Sequence, residues 1–434
     1  MNIASSYKSM FRIPELQRRL LFTGLILLIY RLGSHIPVPG IDRVALANMF
    51  ERQAGSLLGL YDMFVGGSLS QAAIFALGIM PYISASIIFQ LLQAVVPYFE
   101  KLAKEGEAGR KKITQYTRYA TVLLALIQSF GMAAGLEMDP NGIVLNPGLS
   151  FKLMTALTLT AGTIFVMWLG EQITERGIGN GISLIIFIGI VARYPGETLN
   201  TVNMIRSGEM GIIKAILIVI FMVAVVAAII AITQGQRKIP VQYAKKIVGR
   251  RVFGGAATFI PLKVNTAGVI PIIFAQSIMM FPAVLGGMFP ENGFVTDMAR
   301  VFQPPHLVYI IVYSAMIILF AYFYTAVIMN PVDLADNMKK QSGFIPGKRP
   351  GRKTAEYIDA VLTRVTLPGA IFLAVIAVLP DLMISWLHVQ FRFGGTGLLI
   401  VVGVALDTLQ QIESHLVMRH YDGFLTKGRM RARR

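Results

Sequence analysis

The sequence predicts an all-α integral membrane protein of ten transmembrane helices, and three observations predict it. Hydrophobic residues make up 55% of the 434 residues, and the mean hydropathy is +0.62, too apolar for a soluble chain of this length. Ten apolar runs recur, centred near Leu27, Ile87, Leu124, Ile164, Phe187, Val223, Ile273, Met316, Val375 and Val402. An α-helix needs about 20 apolar residues to cross a hydrocarbon core about 30 Å thick. The positive charges fall between alternate runs. Of 40 Lys and Arg, 31 lie in segments 1–19, 97–118, 171–180, 233–263, 329–364 and 416–434, and 8 in 36–72, 136–152, 192–214, 286–306 and 385–397. Cytoplasmic loops carry the Lys and Arg excess, so both termini are expected inside.

The net charge of +17 follows in part from this topology and from attraction to anionic lipid. The remainder suits acidic or RNA-bearing cytosolic partners. With no cysteine in the chain, disulfide scaffolds, thiolate metal sites and cysteine nucleophiles are excluded.

The first apolar run follows a basic stretch, as in a signal peptide. It ends in Arg31, His35 and Pro37-Val38-Pro39-Gly40 without a small-residue cleavage site, and is expected to be a retained first span. Arg31 costs roughly 2.5–3.5 kcal/mol at mid-membrane on insertion scales, but lies near enough to the end of its span to snorkel.

Region 37–72 differs from the spans. Its apolar part, Leu57-Leu58-Gly59-Leu60-Tyr61-Asp62-Met63-Phe64-Val65, is about half a membrane thick and is followed by Gly66-Gly67. A segment of this length reads as re-entrant or interfacial. Backbone that enters a membrane without spanning it needs protein or a water-filled cavity as a shield, so a cavity is expected nearby.

Two local matches suggest an internal duplication. Gly78-Ile79-Met80-Pro81-Tyr82-Ile83 parallels Gly268-Val269-Ile270-Pro271-Ile272-Ile273, and Gly179-Asn180-Gly181-Ile182 parallels Gly395-Thr396-Gly397-Leu398. The first pair falls in spans two and seven, the second at the starts of spans five and ten. Five spans is an odd number, so the halves enter the membrane from opposite sides. Such inverted repeats put a functional path at their interface near the midplane. The expected halves are 1–200 and 201–434. The loops 233–263 and 329–364, rich in charge and turn residues, are expected to project into the cytoplasm as docking elements.

Residues for catalysis are not apparent. The five histidines, His35, His306, His388, His415 and His420, have no metal-binding or catalytic spacing. Gly177-Ile178-Gly179-Asn180-Gly181 lies at a helix-to-helix turn and lacks the strand of a nucleotide fold. Glu171 and Glu175 sit at the cytosolic end of span four, where carboxylates are commonly solvated or ion-paired. Asp407 in span ten has no assigned role from the sequence; a structural partner is expected in preference to proton transport. No cofactor or metal is expected.

Leu77-Gly78-Ile79-Met80-Pro81-Tyr82-Ile83-Ser84-Ala85-Ser86-Ile87-Ile88-Phe89-Gln90-Leu91-Leu92 and Trp168-Leu169-Gly170-Glu171-Gln172-Ile173-Thr174-Glu175-Arg176-Gly177-Ile178-Gly179-Asn180-Gly181-Ile182-Ser183 resemble the two signatures of the SecY family of protein-conducting channels. The resemblance continues through Ala267-Gly268-Val269-Ile270-Pro271, Phe344-Ile345-Pro346-Gly347 and Phe393-Gly394-Gly395-Thr396, over essentially the whole chain.

The resemblance implies two inverted five-helix halves around a central pore, with a plug helix and a gate that opens sideways to lipid. It implies a pore ring of Ile79, Ile83, Ile186, Ile273 and Ile400, which closes the pore by dewetting. Any one of these isoleucines, taken alone, would read as an ordinary membrane-helix residue. The implied plug is 57–65, with Leu57, Leu58, Leu60, Tyr61, Met63, Phe64 and Val65 its apolar side chains. The implied lateral gate runs between spans two and three and spans seven and eight, near Ser84, Gln128, Ser277 and Phe281. Lys245, Arg250, Arg251 and Arg349 are the implied docking residues for the SecA ATPase and the ribosome; a solvated charge run is the plainer reading of the first three. SecE-like and SecG-like subunits, signal-bearing preproteins and membrane lipids complete the implied partners, with no sequence-specific nucleic-acid binding. The implied location is the bacterial plasma membrane, and ATP would be consumed by SecA.

Two other readings compete. A secondary transporter of a small solute shares the inverted repeat, but should carry charged or coordinating residues within broken spans. An intramembrane enzyme needs an acid pair, an activated Ser or metal ligands in the membrane. The first set is nearly absent, and none of the second is visible.

Overall fold

The computed structural model describes residues 13–52, 57–138, 142–243, 246–248, 251–253, 257–288, 293–304, 306–387 and 395–431. The elements run α1 (Pro14–Gly33), α2 (Arg43–Arg52), α3 (Leu57–Phe64), α4 (Met80–Val95), α5 (Pro97–Lys104), α6 (Glu107–Glu137), α7 (Leu149–Arg176), α8 (Gly181–Val191), α9 (Tyr194–Arg206) and α10 (Ile212–Gln234). Then come β1 (Gln236–Tyr243), β2 (Lys246–Val248), β3 (Arg251–Phe253), β4 (Ala257–Lys263), α11 (Ile270–Met279), α12 (Phe281–Met288), α13 (Gly293–Val301), α14 (Leu307–Ile328), α15 (Pro331–Lys340), β5 (Gly343–Phe344), α16 (Arg352–Leu387) and α17 (Gly395–Arg431).

Among the described residues, seven helical stretches are long and apolar enough to cross a membrane, and the bent pair α4–α5 makes an eighth. The other two of the ten apolar runs are α1, which carries Arg18, Arg19 and Arg31 in its 20 residues, and α11–α12, which breaks at Met280. The α4–α5 bend is 97°. Pro97 disfavours helical backbone at the residue before it, and Val96 is extended (φ −100°, ψ 117°). At 31 residues, α6 is about 46 Å long, more than a hydrocarbon core requires.

The helices sort into two compact units. One comprises Met1–Val202, Ser277–Pro304 and Ile400–Arg434; the other Asn203–Gln276 and Pro305–Leu399. In the first, α7 packs along α6, α4 and α12 also lie against α6, and α8 packs on α7. Ion pairs clamp the α6–α7 pair near both ends: Arg118 to Glu171, bidentate at 2.9 and 2.8 Å, and Lys152 to Glu137 at 3.2 Å. Glu171, expected to be solvated or paired, is therefore paired.

The second unit departs from an all-α plan. β1 pairs antiparallel with β4, from Gln236 opposite Lys263 to Gln242 opposite Ala257, and with β5 through Gln242–Phe344 and Tyr243–Gly343. In β1, buried Ile239 and Val241 alternate with exposed Lys238, Pro240 and Gln242, the period-two pattern of a strand with one covered face. Those two side chains form a core with Leu262, Met338, Ile345, Ile358 and Leu362. The loops 233–263 and 329–364 thus build one sheet-and-helix module rather than two separate projections.

Candidate functional site: a half-membrane helix and the cavity beside it

The short helix α3 is buried in the first unit. Tyr61, Met63, Phe64 and Val65 are each at most 8% exposed; the side chains of Leu57, Leu58 and Leu60 lie outside the described residues. Gly66 and Gly67 both take positive φ, +74° and +83°, and turn the chain back sharply after Val65. The turn carries its own bonds: Gly67 N donates to Asp62 O at 2.8 Å and Ser68 Oγ to Val65 O at 2.9 Å.

Side chains from the surrounding helices hold this turn. Tyr30 Oη donates to Val65 O at 3.2 Å and Arg31 Nη1 to Gly66 O at 3.1 Å. Tyr61 Oη, on α3 itself, donates to Leu77 O at 2.7 Å. Asp62 is 3% exposed. Its Oδ1 accepts from Leu69 N and Ser70 N, both at 3.0 Å, and its Oδ2 accepts from Arg193 Nη1 at 3.0 Å. Neither Asp62 nor Arg193 stands out in the sequence, where Arg31 has the position of a snorkelling cation. The available signal was an acid within a half-length apolar helix and a lone cation just beyond span five.

Next to α3 lies a cavity of about 270 Å³. Ser84 from α4, Gln128 from α6, Ser277 from α11 and Phe281 from α12 all line it, and Tyr61 forms part of its wall. Most of the remaining lining is apolar, with Met49, Met80, Met132 and Met280 among it. Flexible methionines adapt to differently shaped apolar guests. Thr155, another lining residue, keeps a buried hydroxyl without a hydrogen-bond partner among the described residues. The four gate residues named from the resemblance are therefore brought to one cavity.

Of the five isoleucines expected to form the ring, Ile79, Ile83, Ile186 and Ile400 belong to the first unit and Ile273 to the second. All five are buried, at 5% exposure or less. Ile79 sits toward α7 and α8: its Cδ1 is 3.5 Å from where a Cβ on Gly170 would stand, beside Ile185.

The glycine-rich turn between α7 and α8 is a structural joint. Ile178 N donates to Thr23 Oγ1 at 3.1 Å, Gly179 N to Gln411 Oε1 at 2.9 Å and Gly181 N to Thr174 Oγ1 at 2.9 Å. Asn180 Oδ1 caps α8 by accepting from Ile182 N and Ser183 N. These amides are engaged by the protein itself instead of cradling a phosphate. Asp407 occupies an exposed position on α17.

Among the docking residues implied by the resemblance, Arg349 is exposed in the turn between β5 and α16. Gly347 (φ +77°) and Gly351 (φ +97°) flank it, and Thr354 Oγ1 anchors its carbonyl at 2.9 Å. The neighbouring Lys348 ammonium stands 5.1 Å from the centre of the Tyr357 ring. Lys245 and Arg250 lie outside the described residues, as does the side chain of Arg251, the first residue of β3.

The family described as SecY matches residues 73–409. The protein translocase subunit SecY of Escherichia coli K12 is 48% identical over 424 residues, 96% of each chain. In fold, the chain is similar to a SecY whose plug domain is described as stabilising the closed translocation channel and maintaining a membrane seal. That likeness has a TM-score of 0.63 at 18% identity and covers 92% of both chains. It is also similar to the channel of a canine ribosome–channel complex from the endoplasmic reticulum, with a TM-score of 0.60 at 17% identity, over 92% of this chain and 93% of that one.

Proposed function

The chain belongs to the SecY family and is the pore-forming subunit of a protein translocation channel, and on that premise we propose how its own residues serve the channel. Segment 57–65 is the plug that seals the resting pore. Ile79, Ile83, Ile186, Ile273 and Ile400 form an apolar constriction, which excludes water while a passing polypeptide can still displace it. Ser84, Gln128, Ser277 and Phe281 border the lateral gate, through which signal sequences and transmembrane segments reach lipid. The halves 1–200 and 201–434 are its two inverted repeats.

The observation that carries this reading is the shared cavity. Residues separated by up to about 200 positions, on four helices, converge on one mostly apolar space whose wall includes Tyr61 of the short helix. A guest that is apolar along most of its length, with a few polar groups, matches that lining; a small polar solute does not. Weak polar contacts between membrane helices, averaging about 0.6 kcal/mol, suit a seam that must part.

The channel works in a bacterial plasma membrane with both termini cytoplasmic. Its partners are SecE-like and SecG-like subunits, the SecA ATPase, the ribosome and signal-bearing preproteins. Arg349, exposed on the rigid turn of the cytosolic module, contacts SecA or the ribosome; Lys245, Arg250 and Arg251 extend that basic surface. ATP hydrolysis belongs to SecA, since this chain is not an enzyme.

Reconstitution tests the assignment. Proteoliposomes holding this chain with its accessory subunits, supplied with SecA and ATP, should protect a signal-bearing preprotein from external protease. They should not protect the same preprotein lacking its signal. Uptake of a small solute without preprotein protection would overturn the assignment.

A further inference from the structure

We propose that Arg193 is a positioning residue for the resting channel, its guanidinium and the Asp62 carboxylate forming a latch that holds the short helix α3 against the channel wall. The inference rests on the reading of segment 57–65 as the plug.

The Asp62 side chain is 4% exposed and that of Arg193 23%. Burying a carboxylate is costly unless donors replace its water, and Asp62 has three such donors. Two are Leu69 N and Ser70 N, seven and eight residues further along the same turn. They travel with α3 if it moves. The third, Arg193, stands 131 residues away, just beyond the end of α8. Among the described residues it alone ties this carboxylate to the wall and makes the one ion pair to segment 57–65. The other side-chain contacts that hold it, Tyr30 to Val65 O, Arg31 to Gly66 O and Tyr61 to Leu77 O, end on neutral carbonyls.

The geometry also lets the latch release. Arg193 Nη2 lies 3.8 Å from Glu197 Oε1, one turn along in sequence. When α3 leaves, the guanidinium keeps an acidic neighbour instead of being stranded. Asp62 keeps its two backbone donors and gains water. Both charges are thus provided for in either state, as a reversible gate requires, and the pair biases the equilibrium toward the closed one. In some proteins a buried charge pair specifies one arrangement without adding raw stability, and the latch assigns that role to this pair.

Single-channel conductance in planar bilayers tests the latch, with membrane insertion and export measured alongside. Arg193→Ala should raise resting open probability on the order of tenfold, within the ordinary range of coupling between two states. Asp62→Asn should do nearly the same, since the amide oxygen still accepts from Leu69 N and Ser70 N while the charge is lost. The double variant should leak no more than the leakier single one, and Arg193→Lys should return most of the seal. Deleting residues 57–65 supplies the reference. If the deletion raises resting conductance while Arg193→Ala and Asp62→Asn do not, the latch is overturned and the plug stands. Multiplicative effects in the double variant would likewise overturn it, because the two residues would be acting independently. If the deletion changes nothing, the plug reading fails and the latch with it.

Discussion

Gly66 and Gly189 meet backbone to backbone: a Cβ on Gly66 would stand 2.7 Å from the Cα of Gly189. A Cβ on Gly189 would in turn stand 2.9 Å from the carbonyl oxygen of Phe64. The short helix therefore reaches α8 at a point where neither chain carries a side chain, and this close approach brings Val65 and Gly66 within reach of Tyr30 and Arg31. At Gly66 the positive φ adds a second requirement for glycine.

Gly189→Val is accordingly expected to push α3 off α8. Overpacking of this kind costs about 1–3 kcal/mol, paid here at the contact and not across the fold. The variant should insert at normal levels yet conduct ions at rest, as measured in planar bilayers. A tight resting channel would mean that α3 closes the pore without this contact.

Ile83→Asn and Ile273→Asn should each raise resting leak, because a polar amide lets water wet an apolar constriction. Combined with deletion of 57–65, either should leak more than the deletion alone, since the proposed plug and ring would act as separate seals. Conductance equal to that of the parent in both variants would remove these positions from the ring.

The spans were legible because hydropathy is a property of contiguous segments, and the proposed orientation rests on charge, which is read in the same way. Segment 57–65 stood out for the same reason: its length is wrong for a span. Pairings between distant residues were not legible. Nothing local marks Arg193 as the partner of Asp62, and Arg31 looks like any cation at a span's end until Gly66 is folded against it. The sheet module was missed because β1 shows only a short alternation, and its partner strands lie about 20 and 100 residues away. The four gate residues came from the resemblance; their common cavity could be found only in three dimensions.

That module yields a paired prediction. Arg349→Glu should block SecA-dependent export while the protein folds and inserts normally: the side chain is exposed, and charge reversal opposes an acidic partner surface. Ile358→Ala, fully buried in the module's core, should instead destabilise it by about 2–5 kcal/mol, seen as faster proteolysis of segments 233–263 and 329–364. Normal export by Arg349→Glu at normal membrane levels would remove it from the docking surface.

The lateral gate admits a direct test, because the chain has no native cysteine and any introduced pair reports on itself alone. Ser84 on α4 and Phe281 on α12 line the same cavity, and α12 packs along α6, so the two lie on opposite sides of the proposed seam. A direct disulfide needs Cα atoms roughly 4.4–6.8 Å apart, which only a closed seam can offer; a short bis-maleimide spans a somewhat wider gap. Ser84→Cys combined with Phe281→Cys should be bridged in the resting channel. Bridging should stop preprotein translocation, and reduction of the disulfide should restore it. A bound signal sequence should lower the yield of the bridge, since it would occupy the space between the two residues. Efficient bridging with undiminished translocation would show that polypeptide passes without parting this seam, and Ser84, Gln128, Ser277 and Phe281 would then be walls of a static cavity instead of the edges of a gate.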